Sequence, residues 1–237
     1  MKFKALLLAT ALVCGVPAVA SAQDTSLTVN VGAASSYQFR GVDQNLDNKG
    51  QVFAGADVAS GSFYAGTWLS NVDFGSKANL EVDLYGGFKP TIGDITLDFG
   101  VLAYTYPQDS KLLVYEGKFA GTYTMKSGVA LTGSAFYSPN YGKDGPSYWY
   151  WEAAVSAPIP NAKIGPFSLS ANASFGTVAA ESIDPKTDPL PDYNNWKVGL
   201  TAATEDGWAV DVFYTDTDVS NNKLYEGKGV IQLKRSF

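Results

Sequence analysis

Apolar and polar residues alternate along this chain in segments of about ten residues, separated by turn-forming positions. Leu80, Val82 and Leu84, for example, alternate with Glu81 and Asp83. A period of two is typical of β-strands that have one apolar face and one polar face. The pattern predicts strands at residues 26–40, 51–59, 62–74, 79–89, 94–106, 112–124, 129–138, 147–157, 167–176, 195–204, 208–217 and 224–237.

The links between the predicted strands alternate in character. Glycine-containing turns occur at residues 60–61, 90–93, 125–128 and 205–207, with a longer one at 158–166. More polar links occur at residues 42–50, 75–78, 107–111, 139–146, 177–194 and 218–223. This layout predicts an all-β fold, a transmembrane antiparallel up-and-down β-barrel of about 12 strands. A soluble meander barrel, such as a lipocalin, is the alternative, and it would hide its apolar face inside a narrower interior.

The amino-terminal segment has the features of a secretory signal peptide. Two lysines precede an apolar run at residues 5–13, and small residues at 20–22 offer a cleavage site. We therefore expect residues 1–22, including Cys14, to be a removed signal peptide. Residues 23–237 are then expected to form a single outer-membrane β-barrel domain in a Gram-negative bacterium.

The carboxy-terminal strand alternates in the same way and ends on an aromatic residue, Phe237. Chain termini usually fray, but a strand that runs to the last residue is useful where it must pair with the first strand to close a barrel. We expect it to pair with the strand from Ser26 to Arg40. Phe237 would then lie at the periplasmic rim and act as an assembly signal.

Composition excludes several functions. The chain has no histidine, and its single cysteine lies in the predicted leader, so zinc sites and serine or cysteine triads that need histidine cannot form. The formal net charge is -6, with scattered basic residues, which argues against nucleic-acid binding. We predict no enzymatic activity, no cofactor and no metal. Carboxylate-pair and lysine chemistry survive this exclusion.

Aromatic residues lie near the ends of the predicted strands, where amphipathic rings favour the lipid-water boundary. The predicted girdles contain Trp149, Trp151 and Trp196 beside the polar loops, and Phe63, Tyr64, Phe167 and Trp208 beside the short turns.

Several short strings give the chain a family resemblance. Tyr37-Gln38-Phe39-Arg40-Gly41, Glu81 to Gly87 and Arg235-Ser236-Phe237 are among those that resemble the TorF-type porins of Gram-negative bacteria, and the resemblance covers essentially all of residues 23–237. It implies an outer-membrane barrel with a pore and no catalytic residues. Arg235 departs from the usual pattern, in which the third residue from the end is aromatic or apolar. The expected partners are outer-membrane lipid, the barrel-assembly machinery and small solutes or ions.

If the apolar faces meet lipid, the opposite faces line the barrel. In the predicted lining, acidic residues outnumber basic residues by eight to six, which suggests a weak preference for cations in a narrow channel for passive diffusion. The predicted lining residues are Arg40, Glu81, Asp83, Lys89, Asp94, Asp98, Glu116, Lys118, Glu152, Lys197, Asp211, Glu226, Lys228 and Lys234. These charges either face a wet channel or pair with one another and fill the interior. The 177–194 link either folds inward as a constriction or remains a solvated surface loop.

Two other functions compete with a channel. A non-conducting structural or adhesive outer-membrane barrel would bind through loops such as 42–50 and 177–194. A membrane-embedded enzyme would need a nucleophile and a base near the outer rim, and a serine-histidine mechanism is impossible without histidine.

Overall fold

A computed structural model describes residues 25–46, 49–143, 145–181 and 192–237. The predicted signal peptide with Cys14, and residues 182–191 of the 177–194 link, lie outside the described residues. Twelve long antiparallel strands form the fold: β1 Thr25–Ala34, β2 Gln51–Ser60, β3 Phe63–Asn71, β4 Leu80–Phe88, β5 Ile95–Thr105, β6 Val114–Thr124, β7 Ala130–Ser138, β8 Tyr148–Ile164, β9 Phe167–Ala180, β10 Tyr193–Ala203, β11 Trp208–Thr217 and β12 Lys228–Ser236. In the described part of the chain, no helix is long and apolar enough to cross a membrane.

The strands close into a barrel. Each strand pairs with the strands before and after it in the chain, and β1 pairs with β12, where Asn30 lies opposite Ser236 and Ala34 lies opposite Gln232. The predictions of a twelve-strand up-and-down barrel and of pairing between the first and last strands are therefore confirmed. Closure leaves no open edge around the barrel wall, where each strand has a partner on both sides.

The two ends of the barrel differ. We call the end with Thr25, Phe237 and the short turns the turn end, and the opposite end, with the longer connections, the loop end. Two of the turns show why glycine occupies them: Gly61 has φ +58° and Gly207 has φ +95°, a conformation that side chains with a Cβ rarely adopt. The glycine pattern in the sequence therefore located this end correctly.

The faces of the strands are distributed as predicted, with apolar side chains on the outer wall. Leu27 and Val101 are 70% and 67% exposed there, whereas Asp83 and Glu116 face inward and are buried. A soluble protein of this size would bury its apolar side chains and expose its carboxylates. The inverted distribution is that of a transmembrane barrel, whose outer wall contacts lipid.

The first strand is shorter than predicted. It ends at Ala34 instead of Arg40, and residues 35–46 fold into the barrel interior. This segment contains two short paired strands, Gln38–Phe39 and Val42–Asp43. We call residues 35–46 the inner hairpin. The prediction of a continuous strand to Arg40 and of a surface link beginning at residue 42 is wrong.

The 158–166 segment is also not a loop. It continues β8 to Ile164, with an irregularity between Pro158 and Lys163, and only Gly165 and Pro166 separate β8 from β9. Pairing of β8 with β7 ends at Ser156. Beyond that residue one side of β8 is an edge, and prolines are tolerated in an edge strand because no ladder hydrogen bond is lost there.

Candidate functional site

The barrel lumen is the candidate site, because strand alternation concentrates charged side chains there. Eight carboxylates and five cationic side chains of the described residues point inward, an excess of three negative charges. The acidic residues are Asp43, Asp57, Glu81, Asp83, Asp98, Glu116, Glu152 and Asp211, and the basic residues are Arg40, Lys118, Lys197, Lys228 and Lys234.

The inner hairpin is built on a tight two-residue turn. Phe39 pairs with Val42, and the residues between them, Arg40 and Gly41, have φ +51° and +80°. Positive φ at both central residues defines a type I′ turn, which matches the twist of paired strands. The amide of Gln44 donates to the carbonyl of Tyr37 at 2.8 Å and closes the base of the hairpin. The turn directs Arg40 away from the wall and into the lumen.

Arg40 anchors the tip of the hairpin to the opposite wall. Its guanidinium donates two hydrogen bonds to the carboxylate of Glu116 on β6, at 2.6 and 2.9 Å. The hydroxyls of Tyr104 and Tyr148 donate to the same carboxylate at 2.8 and 2.5 Å. The guanidinium also lies 4.1 Å from the ring centroid of Tyr150. Bidentate geometry, buried surroundings and aromatic faces are the conditions in which an arginine ion pair is strongest.

Two further contacts hold the hairpin to other strands. The Tyr37 hydroxyl donates to Glu81 on β4 at 2.8 Å. Asp43, on the returning strand of the hairpin, forms an ion pair with Lys228 at the start of β12. Together with the Arg40 contact, these bonds reach strands on different sides of the barrel, so the hairpin crosses the lumen near the loop end.

The base of the hairpin is tied to the link between β3 and β4. The amide of Leu46 donates to the carbonyl of Asp73, and the amide of Asp73 donates to the carbonyl of Gln44, both at 3.0 Å. Lys49 pairs with the carboxylate of Asp73. That pairing, with help from the amide of Gly75, lowers the pKa of Asp73 below its usual value. The hairpin is thus fixed at its base as well as at its tip.

The two halves of the lumen have different contents. At the loop end, aromatic side chains surround the hairpin and are buried, among them Tyr104, Tyr148, Tyr150 and Tyr193. Phe39 packs edge-on against Tyr104, with ring centroids 5.7 Å apart. Toward the turn end, the inward residues are small and polar, and many are partly exposed, including Thr122, Thr132, Ser134, Ser170, Asn172 and Ser174. The lumen is therefore constricted by bulky side chains at the loop end and lined by smaller, more hydrophilic ones at the turn end.

Hydrogen bonds order the polar half as well. Asp98 accepts from Lys118 at 2.7 Å and from Tyr64 at 2.8 Å. Asp211 accepts from Thr201 at 2.5 Å and from the amide of Gln232 at 3.1 Å. These carboxylates have donors that offset the cost of removing them from bulk water.

Most of the predicted lining residues do point into the lumen, but three do not. Asp94 is exposed in a turn before β5, Glu226 is exposed in the link before β12, and Lys89 lies at the rim, just past β4. The predicted strands extend past the observed ones at these positions: the strands after Asp94 and Glu226 begin later than predicted, and the strand before Lys89 ends earlier. Arg40 reaches the lumen from the inner hairpin instead of from β1.

Sequence reasoning missed two lumen carboxylates, Asp43 and Asp57. Asp43 was assigned to a surface link, and Asp57 lies on β2, whose weak alternation hid it. Asp57 accepts a hydrogen bond from Tyr85 at 2.6 Å. The local signal is slight: Arg40 keeps the alternation, and of the two turn residues only Gly41 stands at a position where the pattern calls for an apolar side chain.

The aromatic residues predicted to form girdles are mostly on the outer wall. Trp149 and Trp151, near the loop end, are exposed and stack with ring centroids 5.2 Å apart, and Trp196 is exposed at the same end. Phe63 is exposed at the turn end, where Phe167 and Trp208 are half-buried. Tyr64 differs from this pattern, since its hydroxyl bonds to Asp98 inside the barrel.

The carboxy-terminus lies at the turn end on the outer wall. Phe237 is exposed, and its amide donates to the carbonyl of Val29 on β1 at 2.8 Å. Arg235 places its guanidinium 4.8 Å from the ring centroid of Trp208 and 4.9 Å from that of Phe237. These cation-π contacts place the guanidinium of the unexpected arginine beside two aromatic rings.

A closed antiparallel barrel of this kind is also the fold of porins of known structure. The fold is similar to that of KdgM porin, with a TM-score of 0.59, 6% sequence identity and coverage of 89% of this chain and 99% of that chain. A KdgM porin in complex with disordered oligogalacturonate gives a TM-score of 0.60, with 6% identity and the same coverage. NanC porin gives 0.54 at 11% identity, covering 90% of this chain and 99% of that chain.

Residues 18–236 match the model of the Gcw_chp family, described as bacterial proteins of unknown function, and the chain belongs to that family. No curated protein sequence matches the chain. The resemblance to TorF-type porins is not confirmed by these comparisons and remains a prediction.

Proposed function

We propose that this protein is a narrow outer-membrane channel for the passive diffusion of small solutes or ions, with a weak preference for cations. The observation that carries the proposal is the lumen itself, a closed barrel whose polar, partly exposed half leads to a constriction made by the inner hairpin. A twelve-strand barrel lies between the 8-strand barrels that side chains fill and the 16-strand porins with open channels. The hairpin narrows it further.

The charge of the lumen supports the cation preference. Carboxylates exceed cationic groups by eight to five among the described lumen residues. Three of the cationic groups form ion pairs with lumen carboxylates. Fixed negative charge in a narrow, low-dielectric passage favours permeation of cations over anions. The oligogalacturonate bound by KdgM is a carboxylate-bearing sugar, and this lumen does not offer the excess of positive charge that would suit such a solute.

We infer that export and assembly follow the route expected from the sequence. Residues 1–22 would direct export of the chain to the periplasm and then be removed, and the barrel-assembly machinery would insert the barrel with both of its ends in the periplasm. The turn end would then face the periplasm and the loop end the outside. Outer-membrane lipid would contact the aromatic residues of the outer wall, including Trp149, Trp151 and Phe63.

A second function, a non-conducting structural barrel, is favoured by one observation. Tyr148, Tyr150 and Tyr193 are buried around the hairpin, which fills much of the loop end. An adhesive role for the first link has less support, because residues 42–46 lie inside the barrel instead of on its surface.

Planar-bilayer recording separates these functions. The purified, folded protein should give discrete conductance steps, and a variant with residues 36–45 replaced by a short glycine-serine linker should give larger ones. Silence of both proteins would overturn the proposal and favour the structural barrel. A silent wild type beside a conducting variant would show that the hairpin is a closed plug, which would contradict an open channel.

A further inference from the structure

The lumen carboxylates described above accept hydrogen bonds from other side chains, and Asp83 does not. It is fully buried, and both of its carboxylate oxygens lack a hydrogen-bond partner among the described residues. Its backbone carbonyl accepts from the Thr67 hydroxyl at 2.9 Å, but this bond leaves the side chain unsatisfied. An isolated buried carboxylate is costly, so an unpartnered one in a native fold needs an explanation.

The position of Asp83 places that carboxylate on the lumen wall at the constriction. It lies on β4 between Glu81 and Tyr85, whose side chains bond to partners inside the barrel. Its cross-strand neighbours are Trp68 on β3 and Tyr104 on β5. Residues directly opposite on adjacent strands share a face of the sheet, so two aromatic rings flank the carboxylate.

The neighbouring carboxylates cannot share their donors with Asp83. Glu81 accepts from the hydroxyls of Tyr37 and Tyr106, each at 2.8 Å. Glu116 holds the guanidinium of Arg40, at 2.6 and 2.9 Å, together with two tyrosine hydroxyls. These three carboxylates therefore have one cation, Arg40, among them. If all three are ionised, two negative charges lack a cation in a buried region, and that favours the uptake of a counter-ion or of a proton.

We propose that Asp83 binds a small monovalent cation, such as K⁺ or Na⁺, at the constriction of the lumen. The carboxylate supplies the charge, and Trp68 and Tyr104, directly opposite on the two adjacent strands, supply aromatic side chains beside which a cation is stabilised. A multidentate metal centre does not fit, because the described residues contain no group of three or more histidine, cysteine or acidic side chains arranged to hold a metal ion. The inference rests on the proposed channel function, since the lumen is the route by which the ion arrives.

The competing occupant is a proton. A protonated, neutral Asp83 would need no counter-ion, and replacing it with asparagine would then change nothing that depends on the type of salt. Asp83→Asn is therefore the informative variant, since it removes the charge and keeps the shape. Asp211→Asn is the matched control, because Asp211 is equally buried in the lumen but has a donor on each carboxylate oxygen.

The first measurement is thermal unfolding of detergent-folded protein in KCl and in N-methyl-D-glucamine chloride at equal ionic strength. K⁺ at about ten times its dissociation constant should raise the unfolding midpoint of the wild type by about 3–6 °C. Asp211→Asn should keep this difference between the salts, and Asp83→Asn should lose it. Equal midpoints for the wild type in both salts, or a difference retained by Asp83→Asn, would overturn the proposal.

The second measurement uses the wild type alone, so it does not depend on the variants folding. Crystals grown in RbCl should show an anomalous-scattering peak beside the Asp83 carboxylate, and a map without such a peak would contradict the site. Neither measurement needs conductance. A silent barrel that is stabilised by K⁺ and holds Rb⁺ at Asp83 would refute the channel and retain the site, whereas a conducting barrel without either signal would retain the channel and refute the site.

Discussion

Replacing Arg40 with methionine should release the inner hairpin without unfolding the barrel. Arg40 forms a buried, bidentate pair with Glu116, at 2.6 and 2.9 Å, and its own side chain is 8% exposed. Removing one partner of a buried ion pair leaves an uncompensated charge and costs about 3–5 kcal/mol. In Arg40→Met that charge is Glu116, and undocking of the hairpin lets water reach it.

The size of the effect follows from how the hairpin is held. Its tip depends on side-chain contacts, whereas the barrel strands depend on continuous backbone ladders. A loss of about 3–5 kcal/mol shifts the docking equilibrium by a factor of about a hundred to a few thousand. The Tyr37–Glu81 and Asp43–Lys228 contacts remain and oppose this shift. We therefore expect a measurable population of undocked hairpin and an unfolding transition of the barrel close to that of the wild type.

Limited proteolysis with chymotrypsin measures docking directly. Cleavage after Tyr37 or Phe39, mapped by mass spectrometry, should be slow in the wild type because both side chains are packed inside the barrel, and at least tenfold faster in Arg40→Met. The double variant Arg40→Met/Glu116→Gln is the control, since it removes both charges of this pair and retains an acceptor for the tyrosine hydroxyls. It should be cleaved more slowly than the single variant. Equal cleavage rates in the wild type and Arg40→Met would refute the role assigned to this ion pair.

Three further predictions concern the barrel itself. Val101→Arg, on the lipid face, should lower the free energy of unfolding in lipid by about 2–4 kcal/mol, whereas Ser134→Arg, on the lumen face, should change it by less than half as much; equal losses would contradict the assigned faces. Gly207→Val should destabilise the barrel by at least about 1–2 kcal/mol in urea titrations, because φ is +95° and the new Cβ would lie 2.2 Å from a backbone oxygen of β12. Gly229→Ala, where nothing lies within 4 Å of the added Cβ, should be nearly neutral, and a larger loss there than at Gly207 would count against this explanation. Deleting Phe237 should reduce the fraction of heat-modifiable, membrane-inserted protein in cells, and normal insertion would exclude its role as an assembly signal.

The barrel could be predicted from the sequence because its signals are local. A period of two fixes which side chains point outward, and glycines such as Gly61 and Gly207 mark the turns. These signals do not require knowledge of which strands meet in space. Up-and-down topology then adds the pairing, since each strand joins the next and the last joins the first.

The constriction could not be predicted in the same way. Tyr37 and Phe39 continue the alternation of β1, so the inner hairpin looks like more strand until its long-range partners are known. Those partners, Glu81 and Glu116, are far away in the sequence and come close only when the barrel closes. The sequence leaves open whether the 177–194 link folds inward as a constriction, whereas the constriction observed in the described residues comes from the first connection.

The ion pairs also depend on closure. Asp43 and Lys228 are 185 positions apart in the chain, and strand alternation gives no reason to join them. Counting charges along the strands gives an acidic excess, as the described lumen residues do, but it cannot show which carboxylates have partners and which, like Asp83, have none among the described residues.

The most direct test of the channel is the reversal potential of the wild-type protein in a planar bilayer with a KCl gradient across it. Discrete conductance steps should appear, and the current should reverse at a potential of the sign set by K⁺ permeating more readily than Cl⁻. Folded, inserted protein that gives no conductance would contradict the channel, and a reversal potential of the opposite sign would contradict the cation preference drawn from the eight carboxylates and five cationic groups of the described lumen.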